Sequence, residues 1–237
     1  MTETRFHNEL GDDYDLFKLA SPHHDELQNS VAGLVGNLYG NKDFTEIRVL
    51  EIGFGTGITS KEILQADERI RLTAVDNEET MLSKAKQKLS DIPVDRFKLC
   101  VEDALEFLKR TESGQYDVVA SAWVLHNFLK EYRTKVIREI YRVLKPDGVF
   151  INADKIEVTD RAEHAKNMKW QFAQFDVFEK IGKPELKKEW TEHYWEDSKP
   201  ERALIEKDFE RDCLEISFAS FEITKRWFDD AVAVIKK

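Results

Sequence analysis

The chain has 237 residues, 41% of them hydrophobic, and a net charge of −10. That length suits one medium α/β domain with an added subdomain, and that apolar share is enough for a real core. The acidic balance argues against a general affinity for nucleic acid, because neutralising phosphates requires a basic face. No run approaches the ~18 apolar residues needed to span a bilayer. Cys100 and Cys213 each lie in an apolar run and read as buried thiols of a reducing compartment, not as a disulfide or zinc framework. The segment Met1-Thr2-Glu3-Thr4-Arg5 lacks the apolar stretch of a signal peptide, so the expected location is the cytoplasm.

In chain order, residues 1–46 read as an N-terminal helical cap, with loops at Gly11-Asp12-Asp13 and Ser21-Pro22. Residues 47–237 read as the main domain, with strand and helix signals alternating from residue 47 onward. Ile47 to Ile52 is a first strand, and the helix after Gly57 continues to about Asp67. Leu72-Thr73-Ala74-Val75 is a second strand ending at Asp76. Met81, Leu82, Ala85 and Leu89 then mark one face of a helix. Arg96 to Val101 is a third strand, followed by a helix with Leu105 and Leu108 inward. Tyr116 to Ala122 is the fourth strand, and Val136, Ile137, Ile140 and Leu144 give the next helix face. Lys145-Pro146-Asp147-Gly148 breaks that helix, and a fifth strand begins at Val149. A helical lid insert is expected over about 160–212, charged but rich in Trp and Phe. The chain closes on strand-like runs Phe218–Thr224 and Ala231–Ile235, joined through a hairpin-like connection. Repeated βα units with apolar strands imply a parallel sheet covered on both faces.

Chemistry concentrates at the predicted strand ends, where ligands of such sheets lie. Val49-Leu50-Glu51-Ile52-Gly53-Phe54-Gly55-Thr56-Gly57 runs a strand through a glycine-rich turn into a helix. Glycines at every second position let backbone N–H groups approach a ligand closely. The spacing differs from the Gly-x-Gly-x-x-Gly of the dinucleotide fingerprint, which disfavours an NAD-dependent oxidoreductase. A carboxylate at Glu51 would repel a pyrophosphate but suits a ligand carrying an amine or a sulfonium. Asp76 ends the second strand, and a carboxylate there can accept two hydroxyl hydrogens. It could equally terminate the strand, with Asn77 capping the next helix. Asp103 follows the third strand, and with Glu106 it has capping-box spacing. Ser121-Ala122-Trp123-Val124-Leu125-His126-Asn127 closes the fourth.

Together these residues resemble the class I S-adenosylmethionine-dependent methyltransferases of small-molecule type. The resemblance extends from about Val49 to Asp154 and includes the Leu144–Gly148 turn. It implies a Rossmann-like, doubly wound, mostly parallel seven-stranded sheet with an antiparallel last strand. It also implies S-adenosylmethionine as cofactor and S-adenosylhomocysteine as product. By the same resemblance Glu51 and the backbone of Gly53, Gly55 and Gly57 hold the methionine part. Asp76 holds the ribose, Asn77 borders the adenine, and Asp103 with Ala104 reads the adenine edge. Ser121 offers a backbone carbonyl to the amino group, and Tyr14 of Tyr14-Asp15 helps close the site. The implied activity is methyl transfer to a small-molecule acceptor, with neither nucleic acid nor membrane as partner. Two other uses of the fold stay open: chemistry with a modified adenosylmethionine, and non-catalytic binding of the cofactor.

His126 is the candidate catalytic base, because it follows the fourth strand and imidazole changes charge near neutral pH. His23-His24-Asp25-Glu26 reads as a solvated helix start rather than a metal site, since adjacent histidines on a helix do not face one another. His164 and His193 fall in the lid and suggest no ligand spacing, so no metal is expected. Trp170, Phe172, Phe175 and Phe178 suit a helix packed on the sheet, or a lid over an apolar acceptor pocket.

Overall fold

The apolar runs pair into one seven-stranded sheet in the computed structural model, which describes residues 13–39 and 45–237. Its strands are β1 (Ile47–Ile52), β2 (Ile70–Asp76), β3 (Phe97–Val101), β4 (Tyr116–Ala122), β5 (Leu144–Lys155), β6 (Ser220–Trp227) and β7 (Asp230–Lys236). They lie in the order β3-β2-β1-β4-β5-β7-β6. The first five are parallel, while β7 runs antiparallel to both β5 and β6. The order reverses at β1, which lies between β2 and β4, and the crevice above that reversal is where an open α/β sheet takes its ligand.

Side-chain alternation along the strands divides the core into two layers. Val49, Leu72, Val118, Ala120, Ile151 and Val234 face one way. There they meet Leu27, Val31 and Val35 of α1 (His24–Tyr39), Ile63 and Leu64 of α2 (Ile58–Ala66), and Met81 and Ala85 of α3 (Glu79–Lys88). Leu50, Ile52, Val119, Phe150 and Ala233 face the other way. They are covered by Leu105 and Leu108 of α4 (Ala104–Arg110) and by Val136, Ile137 and Ile140 of α5 (Lys130–Val143).

Three details differ from the pattern expected of the sequence. Backbone pairing with β4 already starts at Leu144, opposite Tyr116, so β5 begins before the Lys145–Gly148 turn. The extra residues are absorbed by a register shift next to Asp147, whose φ is +62°. The closing hairpin is tighter than expected, because β6 and β7 extend until only Phe228 and Asp229 separate them. Left-handed backbone at Phe228 (φ +57°) permits that short turn. Finally, the helical stretch after β5 has two fates. Helices α6 (Arg161–Gln174), α7 (Asp176–Lys180) and α8 (Pro184–Asp197) build an apolar cluster of their own with Phe17 and Ala20. Helix α9 (Glu206–Ile216) instead drives Phe209 and Cys213 into the second sheet layer. Burial there pushes the Cys213 thiol above its ordinary range.

Phe17 lies on a 3-10 turn, Tyr14–Leu19, joined to α8 by ring contacts to Trp190 (4.3 Å) and Tyr194 (6.3 Å). The expected loop at Gly11-Asp12 lies outside the described residues. Among the described residues, no helix is long and apolar enough to cross a membrane.

Candidate active site

The turn after β1 is held open by glycine geometry. Gly53, Gly55 and Gly57 all have positive φ, at +78°, +47° and +83°. A Cβ on Gly53 would come 2.2 Å from Val124 Cγ2, so the turn after β1 and the turn after β4 touch through a missing side chain. A Cβ on Gly55 would meet nothing within 4 Å, which leaves open space over that peptide. Phe54 anchors the turn by burying its ring in the first sheet layer.

Glu51 is the last odd-numbered residue of β1, so its side chain points to the α2 side. It is completely buried, and Ser60 Oγ donates to its Oε2 at 2.5 Å. Its other oxygen, Oε1, is buried without a hydrogen-bond partner. Burial outweighs the Ser60 bond and pushes the carboxyl up to about 8. An orphaned carboxyl oxygen beside a glycine turn fits a ligand that brings its own cationic donor.

Asp76, at the end of β2, accepts from Gly55 N–H at 2.8 Å through Oδ2 and from Glu78 N–H at 2.9 Å through Oδ1. The carboxylate thus braces the glycine turn. Each oxygen keeps capacity for one more hydrogen, as a pair of ligand hydroxyls requires. Burial raises its pKa, while the backbone bonds work against that rise. Asn77 is exposed on the rim next to it. Asp103 caps α4: its Oδ1 accepts from Leu105 N–H (3.0 Å), Glu106 N–H (3.1 Å) and Tyr132 Oη–H (2.8 Å). Ala104 opens the helix. Ser121 is fully buried in β4, and its register partner is Asn152 of β5. The Ser121 Oγ and both polar side-chain atoms of Asn152 are buried without partners. The side chain of Tyr14 lies outside the described residues.

Strand β4 ends where Trp123 takes a left-handed conformation (φ +53°), with its N–H donating to Ala153 O at 2.8 Å. Its ring stacks on His24 of α1 (4.9 Å) and meets Phe17 edge-on (6.0 Å). His24 is thereby a buried packing residue, also held by the Gln28 amide at 3.1 Å. The chain then turns at Leu125–Asn127, and Asp154 of β5 fixes that turn. Asp154 Oδ2 accepts from Leu125 N–H at 2.9 Å, and its Oδ1 accepts from Nδ1 of His126. His126 is therefore buried, with one nitrogen tied down and Nε2 directed toward α8. That helix brings His193 and Asp197 to the same place, and Lys155, one residue after Asp154, reaches it from below. Asp154, Asp197 and Lys155 carry no site signal of their own in the sequence, and His193 is read there as a lid residue without ligand spacing. The available signal was the four-residue step between His193 and Asp197, which puts both on one helix face.

A buried clasp closes the far side. Asp229, in the closing hairpin, accepts from His164 Nδ1 and Asn167 Nδ2 of α6, both at 2.9 Å, and from Val158 N–H at 3.2 Å. His164 thus holds α6 to the sheet edge. A small cavity beside it is lined by Met168, Trp170 and Gln171 of α6, Tyr194 of α8, Lys155, and the hairpin residues Trp227 to Asp230. Burial pushes the Asp230 carboxyl up to about 7.

The strand order, the antiparallel final strand and a glycine turn over a buried acid define a doubly wound α/β domain with a ligand crevice at the ends of β1 and β4. Residues 49–148 match the family model described as methyltransferase domain. That stretch is similar to the methyltransferase domains of S-adenosylmethionine-dependent enzymes. It is 25% identical over 147 residues to the carboxy-S-adenosyl-L-methionine synthase of Nautilia profundicola, covering 60% of this chain and 57% of that one. It is 34% identical over 109 residues to the demethylmenaquinone methyltransferase of Leptospira interrogans, covering 46% and 43%. The chain thus spans about half the length of the curated relatives it matches. Among solved structures, a protein of Methanococcus maripaludis, provisionally assigned as an S-adenosyl-L-methionine-dependent methyltransferase, superposes with a TM-score of 0.61 at 18% identity, covering 96% of this chain and 90% of that one. That likeness speaks for the fold.

Proposed function

We propose that the chain transfers a methyl group from S-adenosylmethionine to a small-molecule acceptor bound beneath α6 and α8, with His126 taking the acceptor's proton. When bound, the cofactor supplies the electrophilic methyl group on its sulfonium. Glu51 and the backbone of Gly53, Gly55 and Gly57 hold its methionine part, and Ser121 offers its carbonyl to the amino group. Asp76 accepts from the ribose hydroxyls, while Asn77, Asp103 and Ala104 border the adenine.

The observation that carries the reading is the His126–Asp154 pair. A buried carboxylate on Nδ1 fixes the tautomer and leaves the Nε2 lone pair facing the lid side. An acceptor O–H placed there would give its proton to Nε2, and the cofactor held by Glu51, the glycine turn and Asp76 would supply the methyl group to the acceptor oxygen. The loss of the sulfonium charge would balance the imidazolium charge gained at His126. Alignment and exclusion of water by the lid helices supply the rest.

The test is calorimetric titration with S-adenosylmethionine, S-adenosylhomocysteine and NAD, followed by an assay of S-adenosylhomocysteine release over phenols, enols, carboxylic acids and amines. Binding of the first two near −8 kcal/mol, about micromolar, with none of NAD, supports the reading. NAD binding alone would overturn it. His126→Ala should lower turnover at least about a hundredfold while leaving cofactor affinity within a few-fold. A variant that keeps its turnover removes His126 from the chemistry. A second reading, use of a carboxylated adenosylmethionine, is favoured by the likeness to the Nautilia synthase. Preference for the carboxylated cofactor in the same titration would decide for it.

A further inference from the structure

The side chains gathered around Asp197 form a donor set that proton transfer alone does not require. His193 and Asp197 stand four residues apart on α8, so both reach from one face of the helix. His126 comes to meet them from the turn after β4. His126 Nε2 lies 3.8 Å from Asp197 Oδ2, and His193 Nε2 lies 3.7 Å from the same oxygen. One donor atom from each residue lies within 4.8 Å of the other two, and all three residues are buried.

We infer that His126, His193 and Asp197 bind one divalent transition-metal ion of borderline softness, such as Zn²⁺ or Co²⁺. Bonds of about 2.0–2.2 Å place neighbouring donors of a tetrahedral ion roughly 3.4 Å apart. The two shorter separations are therefore within a few tenths of an ångström of a coordination shell. Two imidazoles and one carboxylate suit zinc, cobalt or ferrous iron better than magnesium or calcium. His126 is already prepared as a ligand: Asp154 occupies its Nδ1, which fixes the tautomer and leaves Nε2 for the metal.

Lys155 is the rival cation. Its Nζ lies 3.8 Å from Asp197 Oδ2. That ammonium has other partners, however: Tyr194 O at 3.2 Å, Ser198 Oγ at 3.3 Å, and the Tyr194 ring at 4.3 Å. It can stay in place when a metal enters.

The metal would claim the same Nε2 lone pair that the methyl-transfer reading gives to the acceptor's proton, so occupancy and base action exclude one another. Binding is measured without cofactor or acceptor, so failure here is distinct from failure of that reading. The chelator-treated full chain is titrated with Co²⁺ alone, followed by visible absorption, and then challenged with Zn²⁺. The expected result is one ion per chain, visible bands of a low-coordinate cobalt site, and displacement by Zn²⁺. His193→Ala and Asp197→Asn should each weaken binding at least tenfold and lose those bands, whereas His23→Ala, outside the cluster, should bind as the natural chain does. Circular dichroism establishes that the variants are folded. No cobalt uptake by the natural chain, or unchanged uptake by folded Asp197→Asn and His193→Ala variants, would overturn the inference. Uptake by Lys155→Met but not by the natural chain would overturn it too, making Lys155 the resident cation.

Discussion

Burial holds the Glu51 carboxyl at about 8, against an ordinary value of 4.5. Between those two pH values the folded chain keeps a proton that the unfolded chain has lost. Glu51 therefore withdraws stability as pH rises through that window, by up to about 1.4 kcal/mol per unit, and changes nothing further above it. Its orphaned Oε1 also gives a signature of ligand binding. At pH 7 the empty site holds the proton, and an ammonium brought alongside stabilises the carboxylate, so binding expels it. Titrating S-adenosylhomocysteine at pH 7 in buffers of different ionisation enthalpy should reveal release of close to one proton. Glu51→Gln should abolish the release and flatten the pH dependence of stability in that window. Buffer-independent heats with the natural chain would detach Glu51 from the ligand. This residue was legible in the sequence because the glycine spacing marks its own surroundings. Asp154 and Asp197 were not, since a carboxylate at a strand or helix end looks the same whether it faces water or a histidine. Only the β4–β5 register puts Asp154 beside the turn that carries His126.

Elements position the site through a buried guanidinium. Arg133 of α5 donates to the carbonyls of Leu125 (3.3 Å), Arg202 (2.6 Å) and Ala203 (2.9 Å). It thereby joins the His126 turn to the segment that follows the lid. Burial lowers its pKa to about 10, and the nearby carboxylates oppose that drop. Arg202 repeats the link by donating to Asn127 O at 2.8 Å. Arg133→Leu keeps most of the packing but strands these carbonyls, together with Phe128 O, to which Arg133 also donates at 3.4 Å. It should cost about 3 kcal/mol in urea unfolding and lower turnover beyond the loss of folded protein. A loss under about 1 kcal/mol would mean that water replaces the guanidinium. In the sequence Arg133 is one charge among many on a helix, and nothing local says that this one turns inward. Strands β1 and β4 were legible for the opposite reason: each is a largely apolar, buried run, and its type follows from its own composition. The sheet order is set by crossovers, which no single element records.

At the scale of the molecule, apolar packing among the described residues falls into three clusters, two against the sheet and one inside the lid helices with Phe17. The lid cluster rests on aromatic contacts such as Phe17–Trp190, and polar contacts carry much of its attachment to the sheet. Among these are the Asp229 clasp on α6 and the Lys155 bonds to α8. Its helices are mostly charged on their outer faces, which is why sequence periodicity shows helices there without showing what they pack on. A unit with its own core and a polar attachment opens more cheaply than strands buried on both faces. Amide exchange should therefore be faster across residues 161–197 than across β1, β4 and β5. Cofactor alone should slow exchange mainly in the turns after β1 and β4. Cofactor with acceptor should slow α6 and α8 as well if the acceptor binds beneath those helices as proposed. Asp229→Ala should raise α6 exchange while leaving the protection of the β1 strand unchanged. Equal protection in lid and sheet without ligand would mean that the three clusters unfold as one, and the helices over His126 would then be a fixed wall.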